Sequence, residues 1–471
     1  MAKKPVSPLA SLPAVGQLIE IIRRSNGPLA QAENKLIGHL SRITLDRIRL
    51  ALKQELRQGL EVNIPSEEEI IGKISLAFEA WRRSSTCRVV NGSGIILHSG
   101  LGRALYPAEA RQQLTDAASY VLLEVNKETG GRRRRDQFCA DLVCELTGAE
   151  DATVVNNNAA ATLIILNEMG LDKEIVVSRS QMIEIGGSYR LPDVFEAAGC
   201  RLKEVGTTNK SRISDYEKAV NENTGALMLV HTSNYRIVGF TEHVDLPEMV
   251  ALGKKLDLPV IHDLGSGSLI DMTKYGVHDE PDIQFSVKND ADVICFSGDK
   301  LIGGPQAGII IGKKKWIDRI RKNPLARALR IDKAACLALE ATLKLYFEPE
   351  SLDEKIPTLR MLSEKPESVQ KRAEELASIL RGVSAQGPSC KVVESTSELG
   401  AGTLPTRGLP TFCIAIEWPD KSAQEVADQL RMMPISIFSR IKDDTVHLDL
   451  RTMTRDDYDV VAGAIKEISG D

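Results

Sequence analysis

From about residue 88 to residue 312 the chain alternates short apolar runs with helix-like stretches, and no other feature limits its fold as strongly. The runs fall at 152–156, 174–178, 201–205, 225–231, 258–263, 292–297 and 308–312. Strand and helix in alternation predict a large α/β domain around a mostly parallel sheet. Such sheets bind ligands at the carboxyl ends of their strands, so the residues at those ends are the candidates for chemistry.

The run at 292–297 leads into Ser297-Gly-Asp-Lys300-Leu-Ile-Gly-Gly-Pro-Gln-Ala-Gly308. A lysine at the mouth of a buried sheet is costly to keep charged, so its pKa falls and the free amine becomes a nucleophile. That is what a Schiff base with pyridoxal 5'-phosphate requires. Ser297 is placed to donate to the cofactor phosphate, while Gly303, Gly304 and Gly308 let backbone approach a ligand. Alone, Ser-x-x-Lys also describes a lysine that merely solvates a strand end.

Four other strand ends extend the pattern. In Val154-Val-Asn156-Asn-Asn158-Ala-Ala-Ala161 a strand gives way to a helix, whose first-turn N–H groups, over Asn157, Asn158 and Ala159, form an anion site. An asparagine cluster that only caps the helix fits as well. Val260-Ile-His262-Asp263 ends on an aspartate, which held against a pyridine nitrogen keeps that nitrogen protonated. Gly265-Ser-Gly267 lacks the third glycine of a dinucleotide fingerprint, which disfavours NAD. His231-Thr-Ser-Asn-Tyr235 brings a histidine toward the same edge, although a lone histidine is commonly structural. The glycine pair in residues 180–188 also permits close approach to a ring. An anion-binding turn, an aspartate and a lysine occur in the order that aspartate-aminotransferase-like (fold type I) pyridoxal enzymes use.

The first 87 residues read differently. Leu18, Ile19, Ile22, then Leu36, Ile37, Leu40, Ile43, Leu45, Ile48, Leu52 and Leu56 recur at spacings of three and four, which predicts helices. Ser66 and Glu69 form a capping box for a further helix over about 67–83. This segment carries 13 Lys and Arg against 9 Asp and Glu, and the remainder 47 against 56, so a basic head precedes an acidic body. Eight cysteines without C-x-x-C spacing predict reduced, buried thiols and no zinc site. The N-terminal Met1-Ala-Lys-Lys-Pro has no apolar signal core, and no apolar run approaches twenty residues, so neither export nor a membrane span is expected. A cytoplasmic protein is expected.

Val155-Asn-Asn-Asn-Ala-Ala-Ala, Glu184-Ile-Gly-Gly-Ser-Tyr-Arg190, Glu204-Val-Gly-Thr-Thr-Asn209, Asp263-Leu-Gly-Ser-Gly-Ser-Leu and Phe296-Ser-Gly-Asp-Lys-Leu-Ile-Gly-Gly-Pro-Gln-Ala-Gly closely resemble the bacterial selenocysteine synthases, the L-seryl-tRNA(Sec) selenium transferases. The likeness runs from Leu12-Pro-Ala through Pro357-Thr-Leu-Arg360 and Leu399-Gly-Ala-Gly-Thr-Leu404 to His447-Leu-Asp-Leu-Arg451. It implies a homodecamer with pyridoxal phosphate on Lys300 and a head that grips serine-charged tRNA(Sec). It also implies that Arg103, Arg327 and Arg330 hold the selenium donor, selenophosphate. The implied reaction is β-elimination of the seryl hydroxyl to an aminoacrylyl-tRNA followed by selenium addition, with Asp299 beside the lysine assisting proton transfer. Related lyases lack such a head. The chain departs from the usual family pattern at Ser99-Gly100 and at Gly131-Arg132-Arg133-Arg134-Arg135, a run that suits either phosphate binding or an exposed loop.

The expected organisation is therefore a helical tRNA-binding domain and linker at 1–87, a pyridoxal-phosphate domain at 88–345 and a small α+β domain at 346–471. The last has a helix near 366–381, strands at 411–417 and 435–450 with a turn at Asp443-Asp444, and a helix near 455–468. Two other classes compete: a pyridoxal lyase or transferase acting on a small amino acid without RNA, and a non-catalytic tRNA-binding protein. The basic head speaks against the first, and the paired Lys300 and Asp263 against the second.

Overall fold

Leucine and isoleucine at three-and-four spacing become helix in the N-terminal part of the chain. The computed structural model describes residues 11–58, 62–82, 86–187, 189–278, 280–383, 387–400 and 403–470. It divides into two compact units, Met1–Arg88 and Val89–Asp471. In the first, α1 (Val15–Arg24), α2 (Asn34–Arg57) and α3 (Glu67–Arg82) enclose a core of Leu18, Ile22, Ile37, Leu45, Ile70 and Ile74. The capping box forms as expected: Ser66 N donates to Glu69 Oε2 at 2.7 Å, and Glu69 N donates to Ser66 Oγ at 3.2 Å. Ile43 and Leu56 are exposed instead of buried. At 100° per residue Ile43 falls outside the arc through Ile37, Thr44, Ile48 and Leu52, and Leu56 lies in the last turn. Met1-Ala-Lys-Lys-Pro lies outside the described residues. Among those described, no helix is long and apolar enough to cross a membrane.

The second unit is organised by a seven-stranded sheet. Its strands are β1 (Asp151–Val155), β2 (Glu174–Ser178), β3 (Arg201–Val205), β4 (Thr224–Val230), β5 (Val260–Gly265), β6 (Val293–Ser297) and β7 (Gly308–Gly312). Their spatial order is β1-β7-β6-β5-β4-β2-β3. Only β7 runs against its neighbours, pairing antiparallel with both β6 and β1. The two-residue side-chain period splits the strands between two cores: Val154, Ile294, Phe296, Ile309 and Ile311 face one layer, and Val155, Val293, Cys295 and Ile310 the other. Gly308 is a steric necessity, because a Cβ there would lie 2.1 Å from the carbonyl oxygen of Asn157. The strand after the lysine loop is thereby pressed against the asparagine turn after β1.

The C-terminal residues build a four-stranded sheet from β8 (Ser389–Gly400), β9 (Thr403–Glu417), β10 (Arg440–Lys442) and β11 (Thr445–Asp449), ordered β8-β9-β11-β10. The long β8–β9 hairpin replaces the single short strand expected at 411–417, and the stretch expected at 435–450 is broken into pieces. Asp443 and Asp444 do form the turn there, both left-handed with φ 51° and 53°. Helices Pro366–Val383 and Tyr458–Ser469 cover this sheet. Val90 belongs to the same core, because Val90–Asn91 pairs parallel with Ile437–Phe438. The cysteines carry no disulfide, and six of the eight are buried.

Candidate active site

Parallel pairing of β5 with β6 sets Asp263 opposite Cys295 and brings the ends of both strands to one edge. Asp263 is 4% exposed and Lys300, just beyond β6, is 5% exposed. Three donors fix the orientation of the aspartate: Asn158 Nδ2 at 3.0 Å, Gly265 N at 3.0 Å and Thr162 Oγ1 at 3.1 Å. Asn158 and Thr162 come from helix α4 (Asn158–Gly170), which is capped by Asn157 Oδ1 accepting from Ala160 N at 2.8 Å. The Asn157 side chain is therefore engaged as a helix cap, the second of the two readings of this turn. Ser297 ends β6 and is buried.

Burial pushes the Lys300 pKa down, and the nearby Arg103 guanidinium pushes it the same way; Asp299, Asp263 and Glu280 oppose them. Arg103 Nη1 donates to Asp299 Oδ2 at 2.7 Å, so the acid adjacent to the lysine is ion-paired. Arg103 has φ 62°, a left-handed conformation costly for any residue with a Cβ, and follows Gly102 at φ 96°. Backbone strain thus coincides with the arginine that reaches the lysine loop.

His231 follows β4 directly, and its N–H donates to Asp263 O at 2.8 Å. The ring shares a cavity of about 480 Å³ with Gln181, Tyr235 and His262. His262 Nδ1 lies 3.0 Å from Ser286 Oγ, and burial drives its pKa to about 3, helped by the charge of His231. In residues 180–188, Glu184–Ile185 pairs with Tyr189–Arg190 as a small hairpin; Ser188 lies outside the described residues.

The other two arginines sit elsewhere along the edge. Arg330 bridges to Val155 at the end of β1, and its Nη1 donates to Glu124 Oε1 at 3.1 Å. Arg327 lies on the short helix Leu325–Ala328 close enough to depress the Arg330 pKa, after burial and Arg135. Glu124 also accepts from Arg135 Nη2 at 2.9 Å and from Arg132 Nη2 at 3.2 Å. Arg132 to Arg135, Arg321 and Arg330 line a cavity of about 660 Å³. The arginine run is thus partly engaged: Arg133 stacks 3.7 Å over Phe138, and only Arg132, its side chain 81% exposed, matches a solvated loop. Within the chain Arg103 and Arg330 answer to different carboxylates, Asp299 and Glu124. Sequence reading passed over Thr162, Tyr189, Glu124 and Glu280. Tyr189, whose pKa is raised by burial and then by Asp263, is the one a pattern offered, within the Glu184 to Arg190 motif.

Comparison with known proteins now gives this geometry a family. Residues 89–454 match the family model SelA: L-seryl-tRNA selenium transferase. The chain is 43% identical over 465 residues to the L-seryl-tRNA(Sec) selenium transferase of Alkaliphilus metalliredigens (strain QYMF), covering 98% of each chain. It is 44% identical over 460 residues to that of Caldanaerobacter subterraneus subsp. tengcongensis, again covering 98% of each. Among solved structures, D-glucosaminate-6-phosphate ammonia-lyase superposes with a TM-score of 0.58 at 20% identity, covering 84% of this chain and 98% of that one. That likeness concerns the fold, which is aspartate-aminotransferase-like, fold type I. A match through both units, with Lys300 and Asp263 buried at adjoining strand ends, places the chain in the L-seryl-tRNA selenium transferase family.

Proposed function

We propose that this chain is a cytoplasmic, pyridoxal-phosphate-dependent enzyme that replaces the hydroxyl of serine carried on tRNA(Sec) with selenium from selenophosphate. The observation that carries the reading is the burial of Lys300 and Asp263 at neighbouring strand ends in a chain related to these transferases over nearly its whole length. That relationship disfavours the two alternatives, a lyase without RNA and a non-catalytic binder.

The residues present fit the cofactor. Asn158 Oδ1 is buried with no partner among the described residues, an acceptor left over for a ligand, and the site offers one carboxylate, one depressed amine and one helix start. Asp263 would take the ring nitrogen and Lys300 the aldehyde carbon. The first-turn N–H groups over Asn157, Asn158 and Ala159, with Ser297, would take the phosphate, and His231 would lie against the ring edge. When bound, pyridoxal phosphate supplies an electron sink for the seryl α-carbon. Lys300 Nζ, whose burial favours the free amine, takes the α-proton. Hydroxide leaves poorly, so the proton that Lys300 Nζ has taken is the one it returns to the leaving oxygen, and Asp299, ion-paired to Arg103, assists by steadying the charged lysine beside it. Arg103, Arg327 and Arg330 hold the donor anion by charge-assisted contacts. Arg330 and Arg103 answer to separate carboxylates in one chain, and the homodecamer that the family resemblance implies would offer a second copy from which to complete the set.

The helical head is the tRNA grip. Its excess of cations over acids supports this, and binding through phosphate contacts weakens as salt rises. Incubating the purified protein with serine-charged tRNA(Sec) and selenophosphate tests the activity: selenium should appear on the aminoacyl ester, and none forming on a cofactor-loaded protein overturns the assignment. Removing residues 1–88 should abolish tRNA retention in a gel shift while leaving the lysine-linked cofactor absorbance. Undiminished retention would make the head structural.

A further inference from the structure

Glu280 is the least satisfied charged group near the strand-end mouth. Its side chain is 1% exposed, and neither carboxylate oxygen has a hydrogen-bond partner among the described residues. The His231 imidazole stands beside it, with Nε2 3.5 Å from Glu280 Oε2. His231 in turn is tied through its backbone to Asp263. The Glu280 charge also reaches Lys300, where it works against the effect of burial. An unmatched buried carboxylate is costly to keep, and sites that retain such groups are typically functional. The loop that carries it returns to the sheet edge immediately afterwards, where Ile283 N donates to Ser268 O at 3.0 Å, so its position is fixed by the fold.

We propose that Glu280 is a positioning residue for selenium transfer: through His231 Nε2 it fixes the tautomer and orientation in which the imidazole is presented to the cofactor. The inference rests on reading this mouth as the pyridoxal-phosphate site. A carboxylate behind an imidazole nitrogen selects the tautomer protonated on that nitrogen, leaving the other nitrogen in one defined state. His262 interacts with the imidazole through its charge, and Glu280 Oε2 stands 3.5 Å from Nε2.

A double-mutant cycle on the full-length, cofactor-loaded protein tests this with Glu280→Ala, His231→Asn and their combination, read by the absorption band of the lysine-linked cofactor and by transfer kinetics. Each single variant should displace the band and lower kcat about tenfold, with KM for seryl-tRNA changed by less than about twofold. The combination should be no worse than His231→Asn alone. Glu280→Gln, whose amide oxygen accepts the same proton, should return the band to its native position. An undiminished Glu280→Ala effect in the His231→Asn background overturns the proposal, as does a native band and native kcat in Glu280→Ala. Should the alanine variant fail to fold, Glu280→Met, similar in volume and without an acceptor for that proton, replaces it in the same cycle. If the native protein shows no lysine-linked band, the cofactor site itself has been misassigned; a native band that Glu280→Ala leaves unmoved overturns only the positioning role.

Discussion

Asp449, at the end of β11, is fully buried and met by Ser397 Oγ at 2.8 Å, Thr411 Oγ1 at 2.8 Å, Arg440 Nη2 at 2.9 Å and Arg451 N at 3.0 Å. Glu280, at the mouth of the large sheet, is almost as deeply buried and has one imidazole at ion-pair distance. The C-terminal sheet has matched its buried charge with donors from four places in the chain. The mouth instead keeps a depressed lysine, an orphaned asparagine oxygen and an arginine in a strained conformation. Where charge is fully answered it fixes structure, and where it is left under-answered it is available for chemistry.

That contrast is most severely tested at Lys300. Lys300→Ala should abolish the lysine-linked absorbance and reduce turnover to background while leaving tRNA affinity and the unfolding midpoint near native. In the native protein the linkage should survive to lower pH than an ordinary lysine allows, since burial and Arg103 both favour the free amine. Asp449→Ala should do the reverse. It takes the shared acceptor from a partly exposed guanidinium, two buried hydroxyls and a backbone N–H, so stability should fall by about 3–5 kcal/mol in denaturant titration. The fraction still folded should turn over at the native rate.

Arg103→Ala belongs to the mouth and should cost a charge-assisted contact, about 1.5–3 kcal/mol, read as more than about tenfold weaker donor use. It also removes a cation beside Lys300, so the linkage should move to higher pH; an unmoved pH dependence and unchanged donor use would take Arg103 out of the site. The smallest effect is expected at Thr162→Val, which takes one donor of three from Asp263 at a loss of about 1 kcal/mol. Cofactor affinity should weaken a few-fold, and a loss as large as that at Asp449 would mean that the mouth too is chiefly structural.

Much of this was legible in the sequence, for definable reasons. The strands at 174–178 and 201–205 coincide with the expected runs, because strands buried in a parallel sheet are marked by β-branched residues between turn signals. Lys300 and Asp263 were identifiable because a charged residue ending such a run stands out. Glu124 and Glu280 were not, because each acts from a loop on residues far along the chain, Arg330 lying 206 residues from Glu124. The β8–β9 hairpin escaped for a different reason. Its residues from Ser395 to Pro410 are mostly polar, glycine or proline, and long antiparallel ribbons with a wet face need not show an apolar run.

The antiparallel insertion of β7 gives the site a birth order. β1 stands at the sheet's edge and receives its strand pairing from β7 alone among the described strands, so the asparagine turn after β1 has no sheet to hold it until residue 312 has been made. At ordinary rates of synthesis of 5–20 residues per second, that leaves the turn waiting for about ten to thirty seconds. The lysine loop and the strand that seals it against the turn arrive together at the end of that interval. A nascent chain therefore has nothing with which to capture pyridoxal phosphate until the large sheet closes, and cofactor capture reports completion of that sheet.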